Sequence, residues 1–235
     1  MAVRRFKELV IIRRVWPCIP LLCILFVSAG ECPDTTAMDR KLIKAGLSNV
    51  KKIDSVIQVN LKYSTANNAA QMDLYGDFCS CYLQKAAALK LAAAQRYLEK
   101  LRPGYSLLTY DCLRPRSIQK KVYTIVEGTD LQRYVANPNS GSMHNFGCAV
   151  DISIVDEFGR ELDMGTEYDH FGDLAQPRHE SRFLKQGKLK KNQVENRRLL
   201  RTVMKKAGFT GIMSEWWHFN AFSRKEIRKR YKIVE

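Results

Sequence analysis

The pattern of hydrophobic and polar positions predicts two long helices in the chain. Residues 86–101 are rich in Ala, Leu and Lys, which favour helix, and the Pro103-Gly104 pair that follows would end it. Residues 195–207 place apolar side chains at every third or fourth position, and Gly208 is a typical stop after such a helix. Both segments are long and periodic enough to indicate helix rather than strand.

Three further segments have the pattern of strands. Residues 105–112 are largely apolar and aromatic, and residues 149–155 alternate apolar side chains with Asp151 and Ser153. Residues 211–219 are rich in aromatic side chains and also predict a strand. Because strands and helices do not alternate regularly, we expect a single α+β domain, with a mostly antiparallel central sheet flanked by helices.

Composition and charge limit the classes of function. Of the 235 residues, 46% are hydrophobic and 27% are charged, as in folded globular proteins, which excludes a disordered or collagen-like chain. The formal net charge of +15 is concentrated in residues 182–206 and 223–235, so a uniformly basic nucleic-acid binder is not expected. For residues 188–206, a solvated helix face and contact with an anionic wall polymer or with lipid headgroups are both left open by the sequence.

The N-terminus has the pattern of a secretory signal peptide. Residues 1–14 are basic, residues 15–29 are almost wholly apolar, and small residues follow at 28–30. The alternative is a membrane anchor, but the apolar stretch is shorter than the roughly 20 residues that span a bilayer. We therefore predict an exported protein, periplasmic or secreted, whose domain covers residues 30–235 and ends in a basic tail from about residue 221.

Five cysteines follow the predicted signal peptide, which fits an oxidising compartment. They are Cys32, Cys79, Cys81, Cys112 and Cys148. Because five is an odd number, at least one stays free or pairs with another chain. We expect a disulfide from Cys112 to either Cys79 or Cys81, and the sequence leaves that choice open.

Two short motifs contain the residue types of a catalytic metal site. His144 lies in SMHNFGCAVD at 142–151, and His218 closes EWWH at 215–218. Two imidazoles and a carboxylate are enough to hold a catalytic zinc ion that leaves one position for water. Such a site also needs a base that is not a ligand, and Glu215 is suitable. In a regular strand, residues three apart point to opposite faces, so the strand would have to end, twist or bulge there.

The two motifs, together with two others, resemble the zinc D-Ala-D-Ala metallopeptidases, and most closely the VanX-type D-alanyl-D-alanine dipeptidases. The family pattern S-x-H-x-x-G-x-A-x-D matches residues 142–151, and E-x-W-H matches 215–218. The segments YDCLRP at 110–115 and DMGTEYD at 163–169 are similar to the family's D-x-x-R-P and M-G-[ST]-x-[FY]-D segments. The resemblance covers roughly residues 53–220 and implies a role in cell-wall peptide metabolism.

The resemblance implies one zinc ion per chain, bound at the sheet, and a set of catalytic residues. The metal ligands would be His144, Asp151 and His218. Glu215 would be the general base, and Arg114 would stabilise negative charge on the tetrahedral intermediate, a task that suits a fixed guanidinium.

The resemblance also implies that Ser142 and Asp169 bind the polar ends and the ammonium group of a dipeptide. One departure concerns specificity, because the family's T-x-D-N-F segment stands here as STANNA at 64–69, without the acid and the aromatic residue. The other two histidines, His170 and His179, are expected at the surface, with His179 solvated.

Three functions compete, of which two are enzymatic and one is not. The first is a dipeptidase that hydrolyses D-Ala-D-Ala, which Asp169 and the continuous block at 163–169 favour. The second is a D,D-carboxypeptidase or peptidoglycan endopeptidase on the same scaffold. The third is a non-catalytic, zinc-bearing wall-binding module, which would be expected to lack Glu215 or Arg114, and both are present. Export argues against a nucleic-acid partner, and the oligomeric state is not predicted.

Overall fold

A computed structural model describes residues 36–68 and 70–235. The predicted signal peptide at 1–29 and Cys32 lie outside these residues. The helices are α1 (Ala37–Lys44), α2 (Val50–Ile53), α3 (Lys85–Leu101), α4 (Arg116–Val126), α5 (Glu180–Lys185), α6 (Lys191–Lys206) and α7 (Arg224–Arg230). The strands are β1 (Leu47–Asn49), β2 (Gln58–Val59), β3 (Tyr82–Gln84), β4 (Ser106–Asp111), β5 (Ala149–Val155), β6 (Thr210–Gly211) and β7 (His218–Asn220).

The central sheet has five strands in the order β2-β4-β5-β7-β6. The β2–β4 pair is parallel, and the other three pairs are antiparallel. Strands β1 and β3 form a separate antiparallel pair. Helices pack around the sheet, and α3 contacts both α6 and β4. The predicted α+β fold with a mostly antiparallel sheet is confirmed.

The two predicted long helices are confirmed, and each is slightly longer than the pattern indicated. Helix α3 begins one residue earlier than predicted, and α6 begins at Lys191 rather than at residue 195. The strands predicted at 105–112 and 149–155 correspond to β4 and β5. All seven residues of β5 are buried, including its polar positions, so Asp151 lies inside the protein rather than on a solvated face.

The strand predicted over residues 211–219 is wrong as a continuous element. Strands β6 and β7 cover only its ends, and the residues between them form a loop. The two strands pair with each other, with Gly211 opposite Phe219, so the intervening residues have to turn. Trp216 and Trp217 in this loop are buried by packing against the core, which explains why their hydrophobicity suggested a strand.

A disulfide joins Cys81, which directly precedes β3, to Cys112, which directly follows β4. This confirms one of the two pairings expected for Cys112. Cys148 is free and buried. The disulfide connects the small β1–β3 pair to the end of the central sheet where the candidate site lies.

The basic C-terminal segment is packed against the domain. After α7, the Val234 amide donates to the carbonyl of Asn145, and the Arg116 amide donates to the carbonyl of Val234. Among the described helices, none combines the length and the apolar character that crossing a membrane requires.

Candidate active site

Three neighbouring strands place a row of polar side chains at one end of the sheet. Asp111 of β4 lies opposite Asp151 of β5, and Asp151 lies opposite His218 of β7. Side chains directly opposite each other on neighbouring strands point to the same face. The register of β4 shifts between Thr109 and Asp111, so Tyr110 is the extra residue of a bulge. Without that bulge, Tyr110 rather than Asp111 would lie beside Asp151.

His144 reaches the same point from a short 3-10 helix, Met143–Phe146. Its Nε2 lies 3.2 Å from Oδ1 of Asp151 and 3.1 Å from Nδ1 of His218. Nδ1 of His218 in turn lies 2.9 Å from the same Asp151 oxygen. The three potential ligand atoms all lie within 4.8 Å of one another, so the predicted ligand residues form a single cluster.

Hydrogen bonds outside the cluster fix how the two imidazoles are turned. Nδ1 of His144 donates to the carbonyl of Cys112 at 2.7 Å, which leaves the Nε2 lone pair facing Asp151. Nε2 of His218 lies 3.2 Å from Oδ1 of Asn220, and donation there leaves Nδ1 facing the cluster. Metal-bound histidines typically donate their second ring nitrogen in this way. Two nitrogen lone pairs and a carboxylate oxygen converge, which is a donor set that fits a divalent cation such as zinc.

Without a cation, the cluster is held together by charge. Burial disfavours the imidazolium form of His144, but the carboxylate of Asp151 outweighs burial and raises the pKa of His144 above its ordinary value. Burial opposes ionisation of Asp151 as well, yet His144 and His218 hold the pKa of Asp151 well below its usual range. A cation that binds here therefore competes with protonation of His144.

The second oxygen of Asp151 has partners of its own. The hydroxyl of Tyr168 donates to Oδ2 of Asp151 at 3.0 Å, and Nη2 of Arg114 lies 3.9 Å from the same oxygen. One carboxylate thus joins the histidine pair on one side to the arginine on the other. Tyr168 was not singled out from the sequence, although it lies inside the recognised segment at 163–169, immediately before Asp169.

Arg114 is buried and held by several groups. Its Nε and Nη2 donate to Asp111, and its Nη1 donates to Gln119 at 3.1 Å. The ring of Tyr63 lies 4.6 Å from the guanidinium carbon, a distance at which the ring face attracts the cation. Burial opposes the charge, but Asp111 and the neighbouring tyrosines together outweigh it and raise the pKa of Arg114, so the side chain is a permanent cation.

Backbone contacts also connect the arginine segment to the histidine segment. The amide of Arg114 donates to the carbonyl of His144 at 3.2 Å. The side-chain amide of Asn145 donates to the carbonyl of Arg114 at 2.7 Å. Together with the bond from the His144 ring to Cys112, these contacts run in both directions between the two segments.

Glu215 lies in the loop between β6 and β7, whereas His218 is the first residue of β7. The strand thus begins between the two, which is how residues three apart both reach the site. Burial raises the pKa of Glu215 to about 7. A carboxyl group with this pKa can accept and release a proton near neutral pH.

A cavity of about 730 Å³ opens onto this constellation. All the site residues predicted from the sequence line it: Arg114, Ser142, His144, Asp151, Asp169, Glu215 and His218. Tyr63, Tyr134 and Phe171 also line the cavity and were not predicted. Tyr63 directly precedes the divergent segment at 64–69, and no residue of 64–68 contributes to the lining.

Local hydrogen bonds and backbone conformation hold Ser142 and Asp169 in the cavity wall. The hydroxyl of Ser142 caps the 3-10 helix by accepting from the His144 amide at 3.4 Å, while the Ser142 amide donates to Asn145. Asp169 has a positive φ of 57°, an uncommon conformation for a residue other than glycine. The hydroxyl of Tyr63 donates to its carboxylate at 3.4 Å.

The other two histidines do not line the cavity. His170 is exposed, as expected. His179 was expected to be solvated, but it is half-buried because its ring packs edge-on against Phe183, with the ring centres 6.3 Å apart. The distribution of histidines therefore distinguishes the two that converge on Asp151 from the two that do not.

Two imidazoles and a carboxylate, beside a half-buried acid and a fixed arginine in a cavity, define the site of a metal-dependent hydrolase. A family model supports this class and identifies the family. Peptidase_M15, described as D-ala-D-ala dipeptidase, matches residues 43–234. The chain therefore belongs to the Peptidase_M15 family of metallopeptidases, and the resemblance noted in its motifs is confirmed.

Several relatives with the same name are similar to this chain. The chain is 32% identical over 163 residues to a D-alanyl-D-alanine dipeptidase of Escherichia coli (strain K12), covering 69% of this chain and 78% of the relative. It is 29% identical over 172 residues to the D-alanyl-D-alanine dipeptidase of Synechocystis, covering 60% and 70%. A D-alanyl-D-alanine dipeptidase of Enterococcus faecalis is 29% identical over 154 residues, covering 57% and 70%.

Proposed function

We propose that this protein is a zinc-dependent dipeptidase that hydrolyses free D-Ala-D-Ala. The observation that supports it most is the convergence of His144, Asp151 and His218 in a cavity that Glu215 and Arg114 also line. The relatives named D-alanyl-D-alanine dipeptidase suggest the substrate.

In this proposal, the three clustered residues hold one zinc ion. When bound, zinc lowers the pKa of a coordinated water to about 7 and polarises a peptide carbonyl. The protein contributes the orientation of its ligands, because the Cys112 carbonyl and Asn220 turn each imidazole towards Asp151. Tyr168 supports the outer oxygen of that carboxylate.

Glu215 is the proposed general base, and Arg114 is the proposed stabiliser of negative charge on the substrate carbonyl oxygen. Glu215 is half-buried in the cavity wall, and its pKa of about 7 suits a group that takes a proton and passes it to the leaving amine. Arg114 is fixed before substrate arrives by Asp111 and Gln119, and such preorganised charge is effective at a developing oxyanion.

Asp169 is the proposed partner of the free amino group of the substrate, and Ser142 the partner of a polar backbone group. A carboxylate on the cavity wall distinguishes a dipeptide with a charged amino terminus from a chain that continues through that position. Tyr63 orients the carboxylate from the side of Arg114, so one aromatic residue contacts both groups.

A D,D-carboxypeptidase or peptidoglycan endopeptidase is the second candidate function. The cavity of about 730 Å³ falls in the range of roughly 300–1,000 Å³ that accommodates drug-sized ligands, which is more room than a dipeptide needs. A non-catalytic wall-binding module is less well supported, because Glu215 and Arg114 both remain at the cavity.

Export to the periplasm or the cell exterior is part of the proposal. It is supported by the sequence pattern at 1–29 and is compatible with the Cys81–Cys112 disulfide, because disulfides persist in oxidising compartments. N-terminal sequencing of the protein recovered from outside the cytoplasm tests it, with cleavage near residue 29 or 30 as the expected result. Recovery of the intact N-terminus from the cytoplasm would contradict it.

The central experiment measures zinc content and hydrolysis together. The mature protein should bind one equivalent of zinc and hydrolyse D-Ala-D-Ala in preference to L-Ala-L-Ala and to a pentapeptide stem. His218→Ala should lose both zinc and activity, whereas Glu215→Ala should retain zinc and lose about 10²–10⁴-fold in turnover. His179→Ala, which alters a histidine outside the cavity, is the matched control. A full equivalent of zinc in His218→Ala would refute the ligand assignment.

A further inference from the structure

A buried arginine lies behind the cavity wall and has not been used by the proposed mechanism. Arg197, on α6, has no exposed surface. Its Nε donates to the carbonyl of Met164 at 2.6 Å, and its Nη1 donates to the carbonyl of Leu174 at 3.1 Å. Burial lowers the pKa of Arg197 to about 10, so the side chain is still a cation at neutral pH.

The two carbonyls mark the ends of the segment that carries Asp169. Between Met164 and Leu174, the chain contributes Asp169 and Phe171 to the cavity and Tyr168 to the carboxylate of Asp151. The segment has no α-helix or paired strand that could hold it by a regular hydrogen-bond ladder. Its position therefore depends on contacts with its surroundings, and one guanidinium binds both of its ends.

The same guanidinium also lies beneath the loop that carries Glu215. Its central carbon is 5.9 Å from the ring of Trp216, the neighbour of Glu215. The indole nitrogen of Trp216 donates to the hydroxyl of Thr166 at 2.8 Å, within the segment that Arg197 holds. The arginine thus contacts both parts of the wall that would face the substrate.

Arginine is chemically suited to this position in a way that lysine is not. A planar guanidinium presents donors in fixed, diverging directions, so it can bind two carbonyls at once, whereas an ammonium is a compact point charge. Burying a charge is unfavourable without compensation, and Glu180 supplies a carboxylate oxygen 3.6 Å from Nη1. A buried ion pair of this kind is weak evidence for stability, and its geometry points instead to a positioning role.

We propose that Arg197 is a positioning residue for substrate recognition, which holds the segment 164–174 so that Asp169 faces the amino end of the substrate. This inference rests on the proposed dipeptidase function and deepens it. Arg197 does not touch the substrate, and it acts through the backbone carbonyls of Met164 and Leu174.

The chain contains a matched control for this role. Arg201 lies one helical turn further along α6 and pairs with the same Glu180, through two hydrogen bonds of 2.7 Å each. Both of these hydrogen bonds go to the Glu180 carboxylate rather than to the segment 164–174. Arg201→Lys therefore disturbs the same ion-pair group without removing a bond to the segment.

The kinetic test compares Arg197→Lys, Arg201→Lys and the unmodified zinc-loaded protein. For Arg197→Lys, we expect KM for D-Ala-D-Ala to rise by about tenfold or more with a smaller change in kcat, because a displaced binding group weakens productive binding. The preference for D-Ala-D-Ala over N-acetyl-D-Ala-D-Ala should shrink in parallel. Arg201→Lys should stay within about twofold of the unmodified protein in both measures. Equal KM values for the two variants would overturn the proposal.

Amide hydrogen exchange tests the same proposal without a substrate. Exchange in residues 165–174 should be faster in Arg197→Lys than in the unmodified protein and unchanged in Arg201→Lys. If the unmodified protein does not hydrolyse D-Ala-D-Ala, the proposed function fails, and this exchange result alone decides the role of Arg197. Equal exchange in the two variants would overturn it. If Arg197→Lys does not fold, judged by circular dichroism, Arg197→Gln, which keeps an amide donor, replaces it with the same criteria.

Discussion

Arg114 donates two hydrogen bonds to a single oxygen of Asp111, from Nε at 2.9 Å and from Nη2 at 2.6 Å. Asp111 is fully buried, and its other oxygen accepts the hydroxyl of Tyr75 at 2.7 Å. The bulge in β4 places Asp111 in the row that contains Asp151. The direction of the arginine is therefore set by the way the central sheet ends.

The first prediction follows from this ion pair. Asp111→Asn keeps the shape of the side chain but leaves a buried guanidinium without its counter-charge. We expect a loss of about 3–5 kcal/mol in the free energy of unfolding and a fall in kcat/KM for D-Ala-D-Ala of about tenfold or more. Urea denaturation and steady-state kinetics measure the two effects. Tyr75→Phe removes only one neutral donor to Asp111 and should cost about 1 kcal/mol. Unfolding free energies that are equal in the two variants would contradict the assignment.

The second prediction concerns the pH dependence of stability due to Glu215. Its folded-state pKa of about 7 lies above the ordinary 4.5, so the folded protein binds a proton more tightly than the unfolded chain does. The free energy of unfolding therefore falls as pH rises from about 4.5 to about 7, because a buried carboxylate forms. In metal-free protein, Glu215→Gln removes this penalty and should be more stable than the unmodified protein by about 3 kcal/mol at pH 8.

At pH 4 the same two proteins should unfold at nearly the same denaturant concentration, since the carboxyl group is then neutral in both states. The comparison of midpoints at pH 4 and pH 8 is the measurement. The zinc-loaded Glu215→Gln variant should lose most turnover. The substitution should therefore increase stability at pH 8 and decrease activity. A stability difference that does not change with pH would show that Glu215 ionises normally in the folded protein.

The third prediction concerns Tyr168, which supports Asp151 from outside the metal cluster. Tyr168→Phe removes the hydrogen bond to the outer carboxylate oxygen and should lower zinc affinity by about 10–100-fold. Competition with a chromogenic chelator measures it. Tyr134→Phe, which removes a hydroxyl from a cavity-lining residue outside the His144–Asp151–His218 cluster, is the control and should leave zinc affinity unchanged. Equal zinc affinities in the unmodified protein, Tyr168→Phe and Tyr134→Phe would show that Tyr168 does not support metal binding.

The fourth prediction separates the two enzymatic candidates by substrate length. If Asp169 pairs with the substrate ammonium, acylation of the amino group leaves a carboxylate without its partner, which should cost about 2–5 kcal/mol if the pair is buried. Free D-Ala-D-Ala should then be hydrolysed much faster than N-acetyl-D-Ala-D-Ala, and Asp169→Ala should narrow the difference. Equal rates on the two substrates in the unmodified protein would favour a carboxypeptidase.

The sequence predicted the helices and strands whose buried face shows directly in the order of their apolar residues. Helices α3 and α6 have long apolar stripes, and β4 and β5 are apolar runs, so each was recognisable locally. The candidate site residues were selected through recognised motifs, and the structure brings them together at one cavity. The hairpin between β6 and β7 was missed because buried aromatic side chains look alike in a strand and in a packed loop.

Other features depend on partners that are distant in the chain. The charge pattern of residues 182–206 resembles a solvated face, and it does not reveal that the acceptors of Arg197 are backbone carbonyls 33 and 23 residues away. Asp111 stands inside a recognised motif, but its place beside Asp151 depends on the bulge in β4, which changes the face that the side chain occupies. Neither the contacts of Arg197 nor the position of Asp111 can be predicted from the periodicity of nearby apolar residues.

The bonds that run both ways between the arginine segment and the histidine segment have a thermodynamic consequence. The ring of His144 is fixed by the carbonyl of Cys112, while the amide of Arg114 is fixed by the carbonyl of His144. Ordering either segment therefore removes part of the conformational freedom of the other. Coupling between two binding sites is reciprocal. If a cation at His144 increases the affinity of Arg114 for an anion, that anion increases the affinity of the site for the cation by the same factor. The proposed metal site and Arg114 are therefore expected to influence each other equally in both directions.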